Sequence, residues 1–87
     1  MESNVAATLA ERGNRYGDFS DNAHISQDLK AICENTTGWA KANQVQREGL
    51  VMILQKIARI CNGDPSYADN WHDIQGYARL VEERLPK

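Results

Sequence analysis

Apolar residues recur at three- and four-residue spacing along most of this chain. Nowhere do they alternate residue by residue, as a half-buried strand requires. The clearest pattern lies between Arg47 and Leu85. Leu50, Ile53, Leu54, Ile57, Ile60 and Cys61 share one helical face, and Trp71, Ile74, Ala78, Val81 and Leu85 share another. Between the two stripes stands Asn62-Gly63-Asp64-Pro65. Gly63 suits the left-handed position after a helix end, and Pro65 bars the first helix from continuing. The pattern therefore predicts two helices folded back as an antiparallel hairpin, apolar face to apolar face.

The N-terminal half gives two shorter stripes. Val5, Ala6 and Leu9 predict a helix over 4–12, with Asn4 as cap and Gly13 as stop. Ile25, Leu29, Ile32 and Cys33 predict a second over 21–34, capped by Ser20 or Asp21. His24 lies on its polar margin, one turn from Asp28, and reads as exposed rather than as a ligand. Asn35-Thr36-Thr37-Gly38 breaks the pattern, and Trp39 follows as an apolar cap on the core. Asn43 caps the third helix, over 43–62, and Asp64 or Ser66 starts the fourth, over 66–84, which Pro86 ends. The prediction is all-α: one domain over 1–87 built from four helices. Gly49 sits inside the third helix at a cost of about 1 kcal/mol relative to alanine. It and Gly76 read as places where helices approach closely.

A chain of 87 residues buries a limited fraction of its surface. Self-association, most simply as a dimer, follows as an expectation. The formal net charge is −2, so there is no cationic excess to grip a nucleic-acid backbone, and no direct nucleic-acid binding is expected. No apolar run reaches the length of a membrane span. Met1 to Ala10 has neither a basic start nor a long apolar segment, so no secretory leader is expected there. Asn35-Thr36-Thr37 fits the glycosylation pattern, which is empty without secretion. Cys33 and Cys61 fall on apolar positions and read as two buried, reduced thiols rather than a disulfide.

Candidate chemistry gathers in two places. Arg15-Tyr16-Gly17-Asp18-Phe19-Ser20 is read as a loop. Either Tyr16 and Phe19 plug the end of the bundle, or Arg15 and the Tyr16 ring shape a pocket for an anionic or planar ligand. The second place is the hairpin. Asp69 and Asp73 are four apart and project to one side of a helix, and Glu48 on the facing helix is the natural third carboxylate for magnesium, which wants oxygen ligands. Lys56 and Arg59 suit phosphate as point charge and fork donor. They also suit ion pairs with Asp69 or Asp73. Serine-histidine-aspartate, reactive-cysteine and glycine-rich phosphate-loop patterns are all missing from the sequence. Metal-assisted attack by water is the enzymatic class these residues support.

Three motifs, in order, carry a family resemblance: Arg12-Gly13 through Arg15-Tyr16-Gly17-Asp18-Phe19; Gln46-Arg47-Glu48 through Lys56-Ile57-Ala58-Arg59-Ile60 with Gly63-Asp64; and Asp69-Asn70-Trp71 through Asp73-Ile74, Gly76, Tyr77 and Ala78. Over nearly its whole length the chain resembles the DUF6378-type proteins of phages and prophages. That family in turn looks like a remote relative of the all-α MazG-like nucleoside triphosphate pyrophosphohydrolases. The resemblance implies a magnesium-dependent nucleotide-handling protein in the cytoplasm of a bacterial host cell. It implies Glu48, Asp69 and Asp73 on the metal, Lys56 and Arg59 on phosphate, and Tyr16 stacked on the base. The related hydrolases build their sites between subunits. The metal motif departs from theirs: Val51 stands where a carboxylate is expected, and Asn70 where a glutamate is expected.

Two functions follow. One is a MazG-like protein that binds a nucleoside triphosphate and cleaves it between the α and β phosphates, or has lost cleavage with Val51 and Asn70. The other is a non-enzymatic helical module, a phage accessory protein that binds a host protein.

Overall fold

The computed structural model describes residues 2–86. Among these residues, five helices make up the fold: α1 (Glu2–Tyr16), α2 (Phe19–Glu34), α3 (Thr37–Lys41), α4 (Gln44–Asn62) and α5 (Ala68–Glu82). No strand occurs among the described residues. The all-α expectation holds, but four helices become five. Thr36 accepts from Trp39 N–H as an N-cap, so a short helix forms where the polar cluster was read as a break. Trp39 is half-buried at its centre, and its carbonyl accepts two bonds from Arg47, at 3.1 and 2.9 Å.

The caps explain most boundary shifts. α1 does not stop at Gly13 but runs on to Tyr16. α2 starts earlier than Ser20 or Asp21 would allow, because Asp18 is its cap and accepts from Asp21 N–H. Only Gly17 and Asp18 remain of the expected loop. α4 starts as expected, and Asn43 and Gln46 exchange side-chain and backbone bonds, both 2.9 Å, in a capping box. α5 starts at Ala68 behind Tyr67, with no side-chain cap from Asp64 or Ser66.

α4 is the hub. α5 packs along one side of it and α2 along another, with α1 against its C-terminal part. Gly49 lies beside Val81 and Lys56 beside Asp73. α2 and α5 make no comparable contact with each other, so they flank α4 as an open layer. Burial is correspondingly thin: Ala58, Gly49, Lys56 and Asn70 are the buried residues of α4 and α5. The two thiols are not buried; Cys33 is half-buried and Cys61 exposed, both free, because the open layer leaves the flanks of α2 and α4 in solvent.

Two glycines join α1 to α4. Gly17 has φ +77°, and a Cβ there would collide with the Asn62 carbonyl. Gly63 is not in the left-handed region; its φ is −129°. Its small size matters instead, since a Cβ would meet the Arg15 carbonyl and stand 2.5 Å from Tyr16 Cα. Gly49 does permit close approach, to Val81, whereas Gly76 faces open space, as does Gly13. Gly76→Ala and Gly13→Ala should therefore each raise stability by about 1 kcal/mol. Urea unfolding followed by circular dichroism reads this directly, and a loss of stability in either variant would contradict the open surroundings of these positions.

Candidate functional site

The α1–α2 turn folds onto the C-terminal end of α4 because backbone groups pair there. Asp64 N–H donates to the Arg15 carbonyl at 2.7 Å, and Asn62 Nδ2 donates to the carbonyls of Tyr16 and Asp18 at 2.8 and 2.9 Å. These bonds place the last turn of α1 beside Arg59 on α4 and Tyr67 before α5. The result is a cluster of arginines and tyrosines. The guanidinium carbons of Arg12 and Arg59 lie 5.2 and 4.6 Å from the Tyr16 ring centroid. Arg15 lies 4.6 Å from that of Tyr67, and the two rings meet edge to face at 6.2 Å. Arg15 also pairs with Glu11, one turn back. The Tyr67 hydroxyl donates to Asp69 Oδ2 at 3.0 Å, and that bond is the main reason its phenol is held above its ordinary pKa.

A cavity of about 320 Å³ opens beside this cluster, lined by Arg12, Tyr16, Phe19, Asn22 and Arg59 among others. Phe19 is 83% exposed, so it does not plug the helix ends. Its ring stands at the mouth of the cavity. Asn22 also lines the cavity, with its Oδ1 buried beneath the surface and without a hydrogen-bond partner. Among the described residues, neither Arg12 nor Arg59 makes a salt bridge.

The residues singled out in the sequence thus separate into groups. Tyr16 and Arg59 come together at the cavity; Arg15 is adjacent but faces Tyr67. Lys56 leaves Arg59 and lies buried against α5, with Nζ 3.0 Å from Asp73 Oδ2. Asp69 is engaged by Tyr67 instead. Glu48 lies two turns before Lys56, about 12 Å along the helix axis, and lines a different groove with Tyr77, Leu80 and Arg84. Among the described residues, no three acidic, histidine or cysteine side chains gather closely enough to hold a metal ion. The donor set Glu48, Asp69 and Asp73 therefore does not fit magnesium within one chain. Arg12 and Asn22 were not legible as site residues. Arg12 lies one turn before Tyr16, a spacing that gains meaning only once α1 runs through Gly13.

None of the curated proteins matches this chain, and no solved structure does. A family model matches residues 1–85: DUF6378, a domain of unknown function.

Proposed function

We propose, for a chain that belongs to the DUF6378 family, that it binds a nucleotide in the cavity between α1, α2 and α4. One observation carries this reading: two guanidinium groups, without carboxylate partners among the described residues, share the Tyr16 ring and line the same cavity. Like charges held together are stabilised by an anion, and arginine forks match phosphate oxygens. The exposed Phe19 ring offers a surface on which a base can stack. The cavity is at the small end of the range for small-molecule sites.

The remote likeness of this family to the all-α MazG-like hydrolases further supports a nucleotide-handling domain, with α4 and α5 as its antiparallel hairpin. The function proposed is binding. Valine at position 51, the Lys56–Asp73 pair and the remote position of Glu48 leave no magnesium-bridged carboxylate set among the described residues.

A melting-temperature screen of nucleoside triphosphates, the matching nucleosides and inorganic triphosphate tests the reading. Ligand at one hundred times its Kd should add about 2.7 kcal/mol. In a domain of this size that raises the Tm by roughly 10–20 °C. Arg59→Met should weaken nucleotide binding at least tenfold, since a hydrogen bond to a charged group is worth about 1.5–3 kcal/mol. No shift with any nucleotide, or an undiminished shift in Arg59→Met, would refute it.

A further inference from the structure

Asn62-Gly63 stands at the centre of the junction between α1 and α4, and the pair carries a reactivity of its own. Of the seven asparagines in the chain, Asn62 alone is followed by glycine. The backbone nitrogen after an asparagine can attack the side-chain amide carbon. Glycine, with no Cβ, hinders that attack least. In the folded chain both reacting groups are held. Asn62 is the last residue of α4, and the Gly63 N–H donates back along the helix to the Arg59 carbonyl at 3.0 Å. Asn62 Nδ2 donates to the carbonyls of Tyr16 and Asp18 at 2.8 and 2.9 Å, which fixes the amide. Asn62 is only half-buried, so water reaches the residue.

We propose that Asn62 is a deamidation site that the closed α1–α4 junction protects and that reacts when the junction opens. The Gly63 nitrogen gives up its proton to solvent and bonds to Asn62 Cγ. The Cγ–Nδ2 bond breaks and ammonia leaves, closing a succinimide ring. Water then opens the ring at either carbonyl and leaves aspartate or isoaspartate. No oxidant, metal or bound ligand takes part, so the reaction stands apart from nucleotide binding. Either product bars the junction from closing again. Aspartate presents a carboxylate to two carbonyl oxygens that need a donor. Its charge also stands at the C-terminal end of α4, where the macrodipole disfavours an anion. Isoaspartate adds a carbon to the main chain where space is already short: a Cβ on Gly17 would stand 2.8 Å from Asn62 Nδ2. One opening of the junction is thus recorded irreversibly in covalent structure.

Mass spectrometry of the proteolytic peptide that carries Asn62 reads the reaction as an amide replaced by an acid. The full chain is incubated in mildly alkaline buffer, with and without concentrated urea. Two side-chain hydrogen bonds must part before the ring closes. The folded chain should therefore react at least about tenfold more slowly than the chain in urea, equivalent to about 1.4 kcal/mol of opening. Gly17→Ala crowds Asn62 and should react faster than wild type in buffer alone. Gly63→Ala in urea should react more slowly than wild type in urea, since its Cβ shields the attacking nitrogen. Asn62→Ala and Asn62→Asp should both lower the Tm, the aspartate more because of its charge. The wild-type comparison and the Asn62 variants do not depend on Gly17→Ala folding. Equal rates in the folded and unfolded wild type would overturn the proposal. So would an Asn62→Asp protein as stable as wild type.

Discussion

Gly63→Ala should lower stability by about 3 kcal/mol, the upper end of the cost of overpacking. The added Cβ would meet the Arg15 carbonyl and the Tyr16 backbone rather than a side chain. Backbone cannot rotate away, so the end of α4 and the end of α1 must part. Parting them stretches the Asp64-to-Arg15 bond and the two bonds from Asn62 Nδ2. Gly17→Ala should act in the same direction for two reasons. Its φ of +77° disfavours a side chain, and the Cβ would strike the Asn62 carbonyl. For a domain of this size, 3 kcal/mol is roughly 12–24 °C of Tm. Thermal unfolding followed by circular dichroism gives the answer. A Gly63→Ala melting temperature within a degree or two of wild type would show that this junction yields easily. The same junction holds Tyr16 beside Arg59, so a folded Gly63→Ala protein should also bind nucleotide more weakly.

That junction marks the boundary of what could be read from the chain. Helix type was legible because apolar periodicity is a property of neighbouring residues, and Asn43 and Gln46 announce the start of α4 in their own spacing. The role of Gly63 was not, because its neighbours Arg15 and Tyr16 are remote in sequence. A glycine after a helix suggests a left-handed cap, whereas here it clears space for another helix end. The extension of α1 past Gly13 was hidden similarly: glycine there is only mildly unfavourable, and docking of the last turn on α4 outweighs it. Extending α1 aligns Arg12 with Tyr16 on one face and creates the cavity, so a local misreading concealed a site residue.

The carboxylates were misleading in a different way. Spacing placed Asp69 and Asp73 on one side of a helix, which is true of any two residues four apart. Spacing does not say which partner each meets. Tyr67 takes Asp69 and Lys56 takes Asp73, while Glu48 sits at the far end of α5 among Tyr77, Leu80 and Arg84. Lys56 also overturns the simplest rule for a lysine, since it is 8% exposed. Its burial, despite the open layer, makes that position costly and defines the second large effect.

Asp73→Lys should destabilise the protein by about 3 kcal/mol, as breaking a buried pair does, with like charges set face to face. The Lys56 side chain is 10% exposed and that of Asp73 is 43% exposed. The ammonium is thus the desolvated member, and the carboxylate remains partly in water. Asp73→Asn leaves Lys56 without its counter-charge but keeps a polar group in place. Because water reaches position 73, its cost should be smaller, about 1–2 kcal/mol. Lys56→Met removes the desolvated charge and leaves only a partly solvated carboxylate, so it should cost under about 1 kcal/mol. In the double variant Lys56→Met/Asp73→Asn the two losses should not add, because one interaction is removed twice. Urea unfolding of the five proteins, with and without magnesium, separates a structural pair from a metal site. A structural pair gives the same losses in both buffers. A metal site would let magnesium stabilise the wild type, and Asp73→Asn would abolish that gain while leaving the metal-free protein as stable as before. That second pattern would require Glu48 or Asp69 to be brought to Asp73 by a rearrangement of α4 against α5, and would refute the pairing of Lys56 with Asp73 as the reason both residues are there.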